Sequence, residues 1–146
     1  MEKFNEKKMK KLTGVFKKNN VVFAYLFGSR ATGNIIQNSD FDFAIMLPEK
    51  MSLTKRFDTR CKIISELTKI LKDEKIETVV LNDTKSILFK FTIVKEGILI
   101  YEASHSIRVL FELKIANEFY DFSPFIEEYN KVYLERELAK IYRNNR

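Results

Sequence analysis

Val21-Val22-Phe23-Ala24-Tyr25-Leu26-Phe27 runs into Gly28-Ser29 and, after residues 30–39, into Asp40-Phe41-Asp42-Phe43-Ala44-Ile45-Met46-Leu47. The first run is continuously apolar, of strand length and rich in β-formers, so it reads as a buried central strand. Gly28 stops it, and Gly28 to Gly33 reads as a turn of small residues. The second run, closed by Pro48, reads as the next strand. Asp and Phe alternate at its start, and a side-chain period of two puts both carboxylates on one face and both rings on the other.

Working outward, residues 3–18 read as a helix with Phe4, Met9, Leu12 and Phe16 on its apolar face. Residues 52–72 are helical by pattern, with Ile63, Ile64, Leu67, Ile70 and Leu71 inward. Ile76 to Leu81 is a third strand. Asn82-Asp83-Thr84 then caps a helix expected over about 85–95. Gly97 ends that helix, and Ile98 to Tyr101 form a short strand. A helix is expected from Ser106 to Asp121 and another from Ser123, with Pro124 in its first turn. The resulting order, α-β-β-α-β-α-β-α-α, predicts an α/β (α+β) chain: a small mixed β-sheet flanked by helices, with C-terminal helices.

Composition narrows the functional classes. A chain of 146 residues that is 45% hydrophobic and 32% charged fits one globular core rather than a disordered segment. Cys61 is the lone cysteine, which excludes an intramolecular disulfide or a cysteine-based zinc site, and it is expected to be packed in its helix. His105 is the single histidine, so no histidine zinc cluster exists, and it reads as a cap or surface residue. No apolar run approaches the ~18–20 residues that span a bilayer, and no signal core follows the N-terminal lysines; a cytoplasmic location is expected. Residues 1–20 hold seven lysines against two glutamates. That run reads first as a solvated helix face, since charge alone identifies no partner.

The chemistry is concentrated in the opening stretch. Gly28 lets backbone amides approach an anion closely, and Ser29 adds a hydroxyl donor. Asp40 and Asp42 project side by side, and two such carboxylates repel each other unless a cation lies between them. Two Mg²⁺ ions remove that penalty, polarise phosphoryl oxygens and clamp an in-line displacement. Glu77 is a charge inside an otherwise apolar strand, a costly placement without a partner or metal. It is the candidate third metal ligand and the group that orients, or deprotonates, the attacking hydroxyl. The spacing is not that of a Walker A loop, and no Gly-x-Gly-x-x-Gly fingerprint occurs.

These residues resemble the minimal nucleotidyltransferases of the DNA polymerase β superfamily, whose signature is Gly-Ser, about ten residues, then Asp-x-Asp. Leu26 to Gly33 and Ser39 to Ile45 carry the likeness. More narrowly, Thr78 to Asp83, the turn Gly97 to Glu102 and Tyr120 to Pro124 are similar to the MntA-type antitoxin family of HEPN/MNT toxin–antitoxin pairs. The resemblance covers about residues 21–135. It implies a protein adenylyltransferase that moves AMP from ATP to a tyrosine of a cognate HEPN ribonuclease toxin. In that reading Gly28, Ser29 and Arg30 bind the nucleotide, and Asp40, Asp42 and Glu77 are catalytic and hold Mg²⁺. Residues 1–146 would form a single nucleotidyltransferase domain, with the helices from about 105 as a candidate partner-binding extension.

One departure stands out: the family usually has Asp at the third carboxylate, and this chain has Glu77. An extra methylene moves the oxygens by about 1 Å, and misplacement of that order can lower a rate ~10²-fold. Phe119, Tyr120, Phe122, Phe125, Tyr129 and Tyr133 cluster near the C-terminus; core packing is their first reading and a binding surface the alternative. The alternatives to a protein adenylyltransferase are a non-catalytic toxin-binding antitoxin, or transfer to a small molecule or RNA. No appended RNA-recognition domain is visible, which disfavours nucleic acid as a partner.

Overall fold

The strand expected from Val21 forms over Phe23–Phe27 and becomes an inner strand of a four-stranded sheet in the computed structural model. The structure describes residues 4–28, 31, 40–72 and 75–144. Within them, helix α1 (Glu6–Lys18) leads into β1 (Phe23–Phe27) and β2 (Phe41–Met46). Helix α2 (Leu53–Leu71), β3 (Ile76–Val80), a 3₁₀ turn (Leu81–Asp83), α3 (Ile87–Glu96), β4 (Ile98–Glu102) and α4 (His105–Asn144) follow. The strand order is β3-β2-β1-β4. β1 runs antiparallel to β2 and β4, while β2 and β3 are parallel. Parallel neighbours need a crossover, and α2 supplies it.

Alternation along the strands splits the interior into two layers. Ala24, Leu26, Phe41, Phe43, Ile45, Ile76 and Val80 face one side, where Leu12 and Phe16 of α1 and Ile63, Leu67 and Leu71 of α2 cover them. Phe23, Tyr25 and Ala44 face the other side and pack with Ile93 of α3 and Phe111 of α4. Asp42 precedes Ala44 by two residues and Glu77 precedes Val79 by two, so both carboxylates belong to the layer of α3 and α4. Phe43 sits behind them, fully buried, with ring centroids 6.1 Å from Phe16 and 6.4 Å from Phe41.

Polar groups fix the element ends. Asn5 and Ser52 accept backbone hydrogen bonds at the starts of α1 and α2. The N-cap of α3 is Ser86, not the Asn82-Asp83-Thr84 run expected from the sequence. Asn82 instead uses its amide as a strand substitute, accepting from Leu47 N at 2.9 Å and donating to Leu47 O at 2.8 Å. Asp83 takes the guanidinium of Arg56, whose Nη2 lies 2.6 Å from Asp83 Oδ1. On the far side, Arg108 of α4 donates to both Glu102 and Glu112, and Tyr25 donates to Glu112. Burial first, and then the Glu112 carboxylate, push the Tyr25 phenol well above its ordinary pKa, so it serves there as a proton donor.

Three further expectations need correction. The expected break at Ser123 does not occur: α4 is one helix of 40 residues with Pro124 inside it. Proline removes one helical hydrogen bond, but this one is on an exposed stretch where water can satisfy the released carbonyl. Cys61, expected to be packed, is exposed. Two residues before the buried Ile63, it is rotated to the opposite side of α2. Phe119 is half-buried and stacks on Phe91 with centroids 3.8 Å apart, but Tyr120, Phe122, Phe125, Tyr129 and Tyr133 are exposed. Core packing of that aromatic group is therefore overturned for five of its six members. Among the described residues, no helix is long and apolar enough to cross a membrane.

Candidate active site

The parallel register between β2 and β3 pairs Asp42 with Glu77 directly. The antiparallel register of β1 with β2 pairs Phe27 with Asp42, so the chain leaves β1 into Gly28 right beside that carboxylate. Gly28 has φ +75°, and a Cβ added to it would lie 2.5 Å from Asp42 Oδ2. Two demands therefore converge on glycine, a left-handed backbone and contact with an acidic side chain. Gly28→Ala is expected to destabilise the fold by about 1–3 kcal/mol through backbone strain and to displace the Asp42 carboxylate. Thermal melting reads the first effect, and Mn²⁺ affinity reads the second.

Electrostatics mark the same place. The Asp42 carboxyl is raised above its ordinary pKa, first by burial and then by the negative charges of Asp40 and Glu77. Asp40 and Glu77 thus both act on Asp42 at the end of the sheet nearest Gly28. Such mutual repulsion is what a bound divalent cation relieves, and carboxylate oxygens are the hard donors that Mg²⁺ takes.

The convergence is nonetheless incomplete. Among the described residues, no group of three or more His, Cys, Asp or Glu side chains is gathered as a metal site. Glu77 instead carries an ion pair, its Oε1 lying 2.8 Å from Arg60 Nη2. Ser29 and Arg30, expected beside the phosphates, lie outside the described residues. His105 is exposed at the start of α4, with its Nδ1 3.2 Å from Glu102 Oε1 and remote in sequence from the carboxylates.

Sequence reasoning missed Arg60. It sits four residues after Arg56 on α2, a spacing that places both guanidinium groups on one helix face. That pairing was the available signal. Which acids they meet depends on the crossover, and single-sequence patterns do not supply that.

A small mixed sheet with acidic side chains collected at one end of its parallel pair, beside a glycine turn, is the layout of the nucleotidyltransferases. The chain belongs to the polymerase beta nucleotidyltransferase family, whose profile matches residues 10–106. A relative from Aphanizomenon flos-aquae (strain 2012/KM1/D3), protein adenylyltransferase MntA, is 40% identical over 83 residues. That match covers 53% of this chain and 54% of the relative, so it spans about half the relative's length. Among solved structures, a toxin–antitoxin with AMP-PNP is similar at TM-score 0.61 and 23% identity, covering 86% of this chain and 98% of that one. A tri-AMPylated Shewanella oneidensis HEPN toxin in complex with MNT antitoxin is similar at TM-score 0.60 and 18% identity, covering 84% and 96%. At these identities the structural likeness establishes the fold.

Proposed function

We propose that the chain is an antitoxin protein adenylyltransferase that moves AMP from ATP to a tyrosine of a HEPN-family toxin. The observation that carries this reading is the in-register pair Asp42 and Glu77 beside Gly28, in a chain of the nucleotidyltransferase family. The relative named as an adenylyltransferase and the fold shared with toxin–antitoxin structures support the choice of acceptor.

In this reading Asp40, Asp42 and Glu77 hold two Mg²⁺ ions, and Gly28, Ser29 and Arg30 border the triphosphate. Bound Mg²⁺ supplies charge neutralisation on the phosphoryl oxygens and alignment of the displacement. The tyrosine oxygen forms a bond to the α-phosphorus, the bond from that phosphorus to the β-phosphate bridging oxygen breaks, and diphosphate leaves. In the same reading Glu77 would orient the tyrosine hydroxyl and accept its proton. Residues 1–146 act as one catalytic domain in the cytoplasm, and the helix from about 105 serves as the partner-binding extension.

Incubation with labelled ATP, Mg²⁺ and a cognate HEPN-family toxin is expected to label a toxin tyrosine. Absence of label on the toxin would overturn the proposal. A second reading, masking of the toxin without catalysis, is favoured by the exposed aromatic residues of α4. Asp42→Asn separates the two: if complex formation persists while neutralisation is lost, masking alone is excluded.

A further inference from the structure

Arg60 belongs to α2, which covers the face of the sheet opposite Asp42 and Glu77. It nevertheless reaches Glu77, because β3 is an edge strand and its outer side is open. Arg60 Nε donates to the outward carbonyl of Thr78 at 2.5 Å, and Nη2 donates to Glu77 Oε1 at 2.8 Å. The guanidinium thus wraps the sheet edge, held to the backbone by one bond and to the acid by the other. A hydrogen-bonded main-chain carbonyl is a fixed anchor, so the Glu77 side chain is the mobile partner of the pair.

We propose that Arg60 is the positioning residue for Glu77, holding its carboxylate at the sheet edge until a divalent cation draws it in toward Asp42 and Asp40. This rests on the reading of those three acids as cation ligands. It accounts for an observation that otherwise stands apart. Among the described residues, the acids paired across β2 and β3 are not gathered as a metal site, and one of them is held on a cation of the protein itself.

Arg60 therefore competes with the metal for Glu77. Arg56, one turn earlier, takes no part in that competition: its guanidinium is engaged by Asp83 and by the carbonyl of Met51. The Glu77 and Arg60 side chains are partly exposed, at 55% and 34%, so the competition is of modest size.

The test is a thermodynamic cycle on the full chain, titrated with Mn²⁺ and followed by electron paramagnetic resonance of the free ion. Arg60→Gln is expected to tighten Mn²⁺ binding about two- to fivefold, the scale of one partly exposed ion pair. The same substitution in a Glu77→Gln or Glu77→Asp background is expected to leave affinity unchanged, because neither side chain makes the competing pair. Thermal melts of each variant check that it is folded. Unchanged or weaker binding by Arg60→Gln would overturn the proposal, as would an equal gain in the Glu77→Gln background, which would reflect only the lost positive charge. If the wild-type chain binds no Mn²⁺, the assignment of the acids as cation ligands fails, and this proposal with it. If wild type binds and the cycle gives no coupling, only the role of Arg60 fails.

Discussion

Asp42→Asn is expected to slow nucleotidyl transfer by about 10²–10³-fold and, at neutral pH, to raise the melting temperature of the same chain. The loss follows from the proposed role of Asp42 as a ligand of cations that would supply several kcal/mol at the transition state, each 1.36 kcal/mol being tenfold in rate. The gain follows from the structure around the side chain. Burial and the charges of Asp40 and Glu77 raise the Asp42 carboxyl, so its ionised form is destabilised in the native state. An uncharged amide of the same shape escapes that penalty.

The pH dependence has a definite sign. With a raised native pKa, the folded chain binds more protons than the unfolded chain at pH values between the unfolded value, about 3.9 for Asp, and the native one. Wild-type stability attributable to this group therefore increases as pH falls through that window. The advantage of Asp42→Asn is fully present above the native pKa and disappears as Asp42 becomes protonated. Thermal melts of both proteins from neutral to mildly acidic pH should converge; curves that stay parallel would contradict the argument. Labelled ATP transfer to the toxin, measured on the same preparations, reads the activity loss. A substitution that stabilises the fold while disabling the site is what a strained functional cluster predicts.

Phe43→Ala is expected to destabilise the chain by about 3–5 kcal/mol, the usual range for emptying a buried aromatic position. Phe43 is fully buried, lies between Asp42 and Ala44 on β2, and meets rings from α1 and from its own strand. Its removal opens the layer that supports both helices against the sheet. With total stabilities of about 5–15 kcal/mol common for domains, such a loss leaves a measurable unfolded population under mild denaturant. Urea titration reads it directly. Phe57→Ala is the control: that ring is 59% exposed, and its removal should change stability by about 0.5 kcal/mol or less. Equal losses at the two positions would mean that the core is not where the structure puts it.

The elements most legible in the sequence were those with strong local causes. The apolar run before Gly28 had to be internal because it alternates nowhere, and β1 has neighbours on both sides. The Asp-Phe alternation of β2 announced which side chains share a face, and Phe41 and Phe43 do enter one layer. Asp42 and Glu77, however, become neighbours through the register of a parallel pair, and no local pattern in either strand encodes it. The arginine that meets Glu77 comes from the crossover between them, so its role depends on the same long-range geometry. The unbroken path of α4 through Pro124 was illegible for another reason. A proline rule states a preference, and one lost bond on a solvated surface is small against the continuity of a long helix. Asn82 was misread because its amide can end a helix or imitate a peptide group with equal ease.

The crossover that makes β2 and β3 parallel also governs timing. The acids facing each other across those strands stand 35 positions apart in the chain, with nineteen residues of helix α2 between them. Contacts at that separation form late, since the intervening loop must close before they are rewarded. A partially folded chain can thus complete the β1–β2 hairpin and its glycine turn while holding only half of its acidic cluster. The in-register acidic pair therefore forms only when β3 docks on β2, and not with the hairpin alone.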